Sequence, residues 1–273
     1  MLGAGTWDIT STISLGVSGV VLQGAAGGVD TILSALEVGH FSNRRGPYTP
    51  PVVRVGGLDQ PSIGTNPSGK TPTMTPTAIT SSRVPVGAKT FVVADASELS
   101  AGDAIMVHWI AADAFTAATG TDNIPNCNGG CNDWTATEYN IQFRRTITSI
   151  SGNTVTIDVP LTQAITLEHS NSVVWKYDDP NRVVLSGVRD ITFRSEFSDG
   201  AEDETHAWNA VSFEEIKHGF AQNLHCHQFA FFCVGVLREA THVTTKDCTS
   251  VRTQRLFVLY LSLRFHGCFF PCL

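Results

Sequence analysis

The chain has 273 residues, 42% of them apolar and only 16% charged, with a net charge of −7. It is long enough for one large β domain or two smaller units with cores of their own. The acidic balance argues against a nucleic-acid partner, and no apolar run reaches the ~20 residues of a membrane-crossing helix.

The first segment, 1–82, reads as short strands between glycine turns. Gly3-Ala4-Gly5 is a turn and Thr6-Trp7-Asp8-Ile9 a strand already in progress. Ile13 and Leu15, Val20–Gln23 and Thr31–Leu33 continue the pattern, with glycines at 24, 27 and 28 between the last two. Runs of this length with glycine punctuation suit the coils of a β-solenoid. Residues 37–82 are rich in Pro, Gly, Ser and Thr, with one strand expected at Val52–Val55. Met1 is followed by neither a basic n-region nor an apolar h-region. The expectation is a chain shortened at its start, secreted if the native gene carries an upstream signal peptide and cytoplasmic otherwise.

Residues 83–162 change character. Strands are expected at Thr90–Val93, Ala104–Trp109, Thr146–Ile150 and Thr154–Val159. Ser151-Gly152-Asn153 between two alternating runs is a hairpin signal. The segment reads as a small antiparallel β module inserted between solenoid coils. A long polar excursion crosses 113–140.

Residues 163–252 return to a repeat. Strands are expected at Val173–Tyr177 and Val183–Leu185. A triplet of a long polar residue, an Asx and an apolar residue then occurs three times: Arg189-Asp190-Ile191, Gln222-Asn223-Leu224 and Lys246-Asp247-Cys248. The copies lie 33 and 24 residues apart. Periods of roughly 20–50 residues mark stacked architectures. An acidic insertion, Ser198–Thr205, accounts for the longer interval. The tail, 253–273, is apolar and lacks strand–turn rhythm, which reads as a plug or as the end of a shortened chain.

Seven cysteines leave at least one thiol unpaired in a monomer, the expected state. Cys127 and Cys131 bracket Asn-Gly-Gly and are read as a small loop disulfide. Cys226, Cys233 and Cys248 fall at inward strand positions and are read as buried thiols.

The pattern resembles the pectate-lyase-like superfamily of right-handed parallel β-helices. Gly3-Ala4-Gly5-Thr6-Trp7 with Ser18–Gly24 is similar to opening coils in which a GAGTY turn precedes a GVVLRG strand. Val84–Val107 with Thr146–Leu161 resembles a β insertion of uncharacterised relatives. Gly187–Phe193, Phe220–Cys226 and His242–Cys248 resemble successive central coils. The resemblance implies an all-β, single-stranded right-handed parallel β-helix with an inserted small antiparallel β module. It also implies a secreted, carbohydrate-active protein with a polysaccharide partner. Neither the Asp-rich signature of polygalacturonases nor the calcium-binding Asp cluster of pectate lyases is matched.

Strand alternation points His225 and His227 outward while Leu224 and Cys226 point inward. The repeat offsets stack Thr192, His225 and Thr249 in one outward column and Arg194, His227 and Val251 in the next. The acidic loop 199–206 emerges beside them. For a lyase acting on a uronic-acid glycan by β-elimination, Arg194 or Arg252 neutralises the carboxylate and His227 or His225 is the base. Glu204, His206 and Trp208 are the expected sugar-binding residues. A glycoside hydrolase would use Asp203 with Glu204 or Asp199 as its acid/base pair. No cofactor is demanded by these residues; the acidic loop with His206 is the set that would hold a Ca2+ or another metal ion. The further alternative is a β-helix without catalysis that binds glycans at most.

Overall fold

The computed structural model describes residues 1–25, 31–36, 49–57, 70–124, 133–136, 140–180, 182–196, 206–237 and 239–251. The chain divides into two compact units, Met1–Gln60 with Asn181–Leu273, and Pro61–Pro180. It is nearly all β, and the two units use opposite strand logic.

The first unit begins with β1 (Gly5–Ile9), β2 (Ile13–Leu15), β3 (Val21–Gln23), β4 (Thr31–Ala35) and β5 (Val53–Gly56). The second unit follows with β6 (Thr77–Ala78), β7 (Arg83–Val84), β8 (Thr90–Val92), β9 (Ala104–Ile110) and the helix α1 (Asp113–Thr119). It continues through β10 (Asn140–Ser151), β11 (Thr154–Ile157), β12 (Ile165–Thr166) and β13 (Val173–Lys176). The chain then re-enters the first unit with β14 (Val183–Val184), β15 (Gly187–Ser195), β16 (Asn209–Glu214) and β17 (Ile216–Lys217). β18 (Phe220–His227), β19 (Phe232–Leu237), β20 (Thr244–Lys246) and β21 (Thr249–Val251) complete it.

Strand pairing in the first unit is parallel throughout the described residues. One sheet runs β1-β4-β15-β18-β20, with β3 on β15 and β21 on β18. A second runs β2-β5-β16-β19, and a third pairs β14 with β17. The chain visits them in rotation: β15, β16, β17, then β18 beside β15 and β19 beside β16. Alternating residues of each circuit point to one shared core of Leu33, Val55, Phe193, Val211, Phe213 and Leu224, all at or near zero exposure. Each such side chain contributes about 1.5–3 kcal/mol by leaving water.

Left-handed backbone recurs at matching places in successive circuits. Asp190, Asn223 and Asp247 have φ of 57°, 52° and 54°. Leu185, His218 and His242 form a second such row, at 58°, 60° and 56°. This explains the Asx of the triplet. An L-residue enters this region at a cost of about 1–2 kcal/mol, and short polar side chains that bond locally enter most easily. Asn223 Nδ2 donates to Asp190 Oδ1 at 2.9 Å across the 33-residue interval. At the end of β5 the same demand falls on Gly56, with φ of 116°, where a Cβ would run into the Glu214 carbonyl oxygen.

The second unit is antiparallel. Six strands follow the order β6-β13-β9-β10-β11-β8, and the bridge Ile79–Val93 hydrogen-bonds the two ends of that path together. The strands thus form a ring around Phe91, Val107, Trp109, Ile147, Val155 and Val174. The expected hairpin is present: β10 meets β11 from Ser151↔Thr154 onward, with Gly152 at a φ of 55°. The unit's entry and exit segments meet. Thr73 N donates to Lys176 O at 2.8 Å. Asp179 accepts from Lys70 Nζ at 2.7 Å and from Arg144 Nη1 at 2.8 Å.

The structure differs from the sequence expectations at three places. β13, expected among the solenoid coils, pairs antiparallel with β9 in the ring, because its alternation fits either partner. The polar excursion holds α1, whose C-terminus is set by Gly120 in the left-handed region. Cys226 and Cys233 are bonded to each other rather than free. A tight corner containing Gln228, with φ of 69°, returns the chain and brings their Cα atoms to 5.5 Å. Cys248 stays a thiol, and burial pushes it further toward the protonated form. The Cys127–Cys131 pair and the tail 253–273 lie outside the described residues.

Candidate functional site

The exterior of the first parallel sheet gathers the chemistry. The register places Thr6, Ile32, Thr192, His225 and Thr249 in one column. Asp8, Ser34, Arg194, His227 and Val251 form the next. The residues between them, Leu33, Phe193 and Cys226, point into the core. Arg194 and His227 are therefore neighbours on adjacent strands, which run about 4.8 Å apart.

Local contacts set the state of each group. His225 Nδ1 lies 2.9 Å from Thr249 Oγ1, which fixes the ring along the column. Ser34 Oγ donates to Glu196 Oε1 at 2.6 Å. Arg194 Nη1 approaches that same oxygen only to 3.9 Å, with both side chains more than two-fifths exposed. Such a contact is weak in water, so the guanidinium keeps its capacity for an anion. His227 is held below its ordinary value of 6.5, first by partial burial, then by the charge of Arg194 and by the neighbouring His225 ring. It is neutral at pH 7 and able to accept a proton. The surface thus pairs a fixed cation with a neutral imidazole.

The remaining sequence candidates separate into two groups. His206 is fully buried. Its Nδ1 lies 2.8 Å from Ser195 Oγ, whose proton goes to Ala207 O, so His206 is the donor of that bond. It braces the end of β15 from within, closed off from solvent. Trp208 is half-buried at the head of β16, and its carbonyl accepts from the amides of Phe231 and Phe232. Asp199, Asp203, Glu204 and Arg252 lie outside the described residues. No group of three or more metal-ligating side chains occurs among the described residues.

Three contributors escaped the sequence reading: Asp8, Ser34 and Glu196. Asp8 and Ser34 join the Arg194 column across the whole inserted unit. The signal was the alternation in β1 and β4, whose spacing to β15 is hidden by the insertion. Glu196 follows β15 directly, at the edge of the acidic loop.

No protein-family model matches the chain, and no curated protein does. Three solved tailspikes resemble it. The tailspike gp49 from Pseudomonas phage LKA1 is 16% identical over 92% of this chain and 33% of that one, with a TM-score of 0.42. The tailspike gp61 from Pseudomonas phage phi297 is 16% identical over 90% and 35%, with a TM-score of 0.43. The Gp54 tailspike of Acinetobacter baumannii bacteriophage AP22, solved in complex with A. baumannii capsular saccharide, is 12% identical over 91% and 40%, with a TM-score of 0.31. The chain thus spans 33–40% of the length of these proteins.

Proposed function

We propose that the first unit is a right-handed parallel β-helix of the pectate-lyase-like kind whose outer columns bind an acidic polysaccharide and cleave it by β-elimination. The observation that carries this reading is the Arg194–His227 pair, a fixed cation beside an imidazole whose pKa lies below 6.5. Arg194 holds the uronate carboxylate and stabilises charge that develops on it. His227 takes the proton from the adjacent ring carbon. That electron pair forms the carbon–carbon double bond, the carbon–oxygen bond to the next sugar breaks, and the leaving oxygen takes a proton from water or the imidazolium. His225, oriented by Thr249, positions the sugar. The Cys226–Cys233 disulfide supports work in an oxidising compartment, hence secretion.

The test is incubation with a panel of uronate polymers, followed at the absorbance of the unsaturated product. Product that is lost in His227→Ala and Arg194→Ala supports elimination. New reducing ends without that absorbance convert the reading to hydrolysis. Binding without either product reduces the surface to a glycan-binding face.

A further inference from the structure

The second unit carries an open depression of about 490 Å³ beside α1, lined by Asp113, Thr116, Asp122, Asp133 and Trp134 among others. Its volume falls in the range of roughly 300–1,000 Å³ that holds small ligands. The indole is the unusual element. Phe91, Trp109, Phe143, Trp175 and Tyr177 of the same unit are all at most 8% exposed, whereas Trp134 is 45% exposed. A ring of that size left half in water is the arrangement of a contact surface more than of a core.

The depression is held from below. Phe115 of α1 packs edge-on against the buried Trp109, with ring centroids 4.9 Å apart. Past Gly120, Thr121 N donates to Thr116 O at 3.0 Å, and Trp134 N donates to Thr121 O at 2.7 Å. Asp133 Oδ1 accepts from Ile124 N at 3.0 Å. The backbone of Trp134 is thereby hydrogen-bonded to the segment that follows α1.

The described lining is also one-signed. Three carboxylates and an aromatic side chain line it, and no Lys or Arg is among the described residues there. The negative face of an indole attracts the weakly positive C–H face of a pyranose. Ionised carboxylates only accept hydrogen bonds, which suits sugar hydroxyls or an amino group. A uronate is repelled, in contrast to the Arg194 surface of the first unit. A nucleic acid is repelled for the same reason.

We infer that this depression is a second carbohydrate site, in which a non-acidic sugar residue, a neutral hexose or a hexosamine, stacks on Trp134 while the surrounding aspartates take its polar hydrogens. It is independent of the uronate reading and survives that reading's failure.

The experiment uses the full chain on an array of neutral, amino-sugar and uronate oligosaccharides, with a lysine-rich peptide as control, and calorimetry on the best neutral or amino-sugar binder. The expected result is binding that falls at least tenfold in Trp134→Ala, is mostly kept in Trp134→Tyr, and is unchanged in Arg194→Ala. Equal melting temperatures of the variants show that folding is intact, as an exposed position leads one to expect. The inference is overturned if no non-acidic glycan is retained, if Trp134→Ala binds as the parent does, or if only the peptide depends on Trp134. Since uronate cleavage is read separately, failure of either proposal leaves the other standing.

Discussion

The two units make opposite use of the β-strand. In the first, neighbouring strands are far apart in sequence, and parallel register lines up side chains from distant segments, so Ser34, Arg194 and His227 share one column. In the second, hairpins and antiparallel neighbours close a ring, and a depression lies on an excursion, beside α1 and Trp134. Stacked circuits build a surface by repetition, whereas the ring serves as a base on which a loop can be mounted.

The sharpest test of that separation is Phe193→Ala. Phe193 is fully buried in the first unit, and its removal is expected to cost about 3–5 kcal/mol. Denaturation should shift early for the first unit while the fluorescence of Trp109 and Trp175 in the second keeps its midpoint. A common shift of both signals would show that the units unfold as one. The mirror experiment is Asp179→Ala. It removes the carboxylate that accepts at 2.8 Å from Arg144, whose side chain is 3% exposed, and is expected to cost about 3 kcal/mol in the second unit alone.

Reduction of Cys226–Cys233 should weaken only the first unit, by about 2–3 kcal/mol for so short a loop. Thiol titration beside the denaturation curve checks it. Asn223→Ala, in the left-handed position, should cost about 1 kcal/mol, while Asn223→Gly stays close to the parent. If both cost the same, the bond to Asp190 outweighs the backbone.

The smallest effect is that of pH. Because the folded state holds His227 below 6.5, its neutral form contributes stability that is fully present above that value and is lost as pH falls through the lower folded pKa. The rate of elimination should rise with pH through the same window. His108 in the second unit is also depressed, by burial, so acid weakens both units. His227→Asn should remove the first unit's share and leave the other.

Much of the first unit was legible because its signal is periodic. The triplet offsets matched the pairing residue for residue, from Ile191↔Leu224 to His225↔Thr249. Inward Leu224 and outward His225 followed from alternation alone. What failed to show depended on the partner and not on the pattern. Val173–Lys176 has strand character in any setting, and only the presence of β9 decides its sheet. His206 looked like a loop ligand because burial next to Ser195 leaves no trace in a polar stretch. The Cys226–Cys233 bond needed the geometry of a corner, which spacing does not encode. Asp8 and Ser34 were masked by the length of chain between them and β15.

The left-handed rows have one more consequence. Successive circuits separated by 33 and then 24 residues arrive at the same register. Extra length in one circuit is absorbed between two corners and does not propagate to the next. Each corner acts as a reset, so errors of length do not accumulate along the stack. Length can therefore be added or removed at one loop without taking Arg194 out of register with His227.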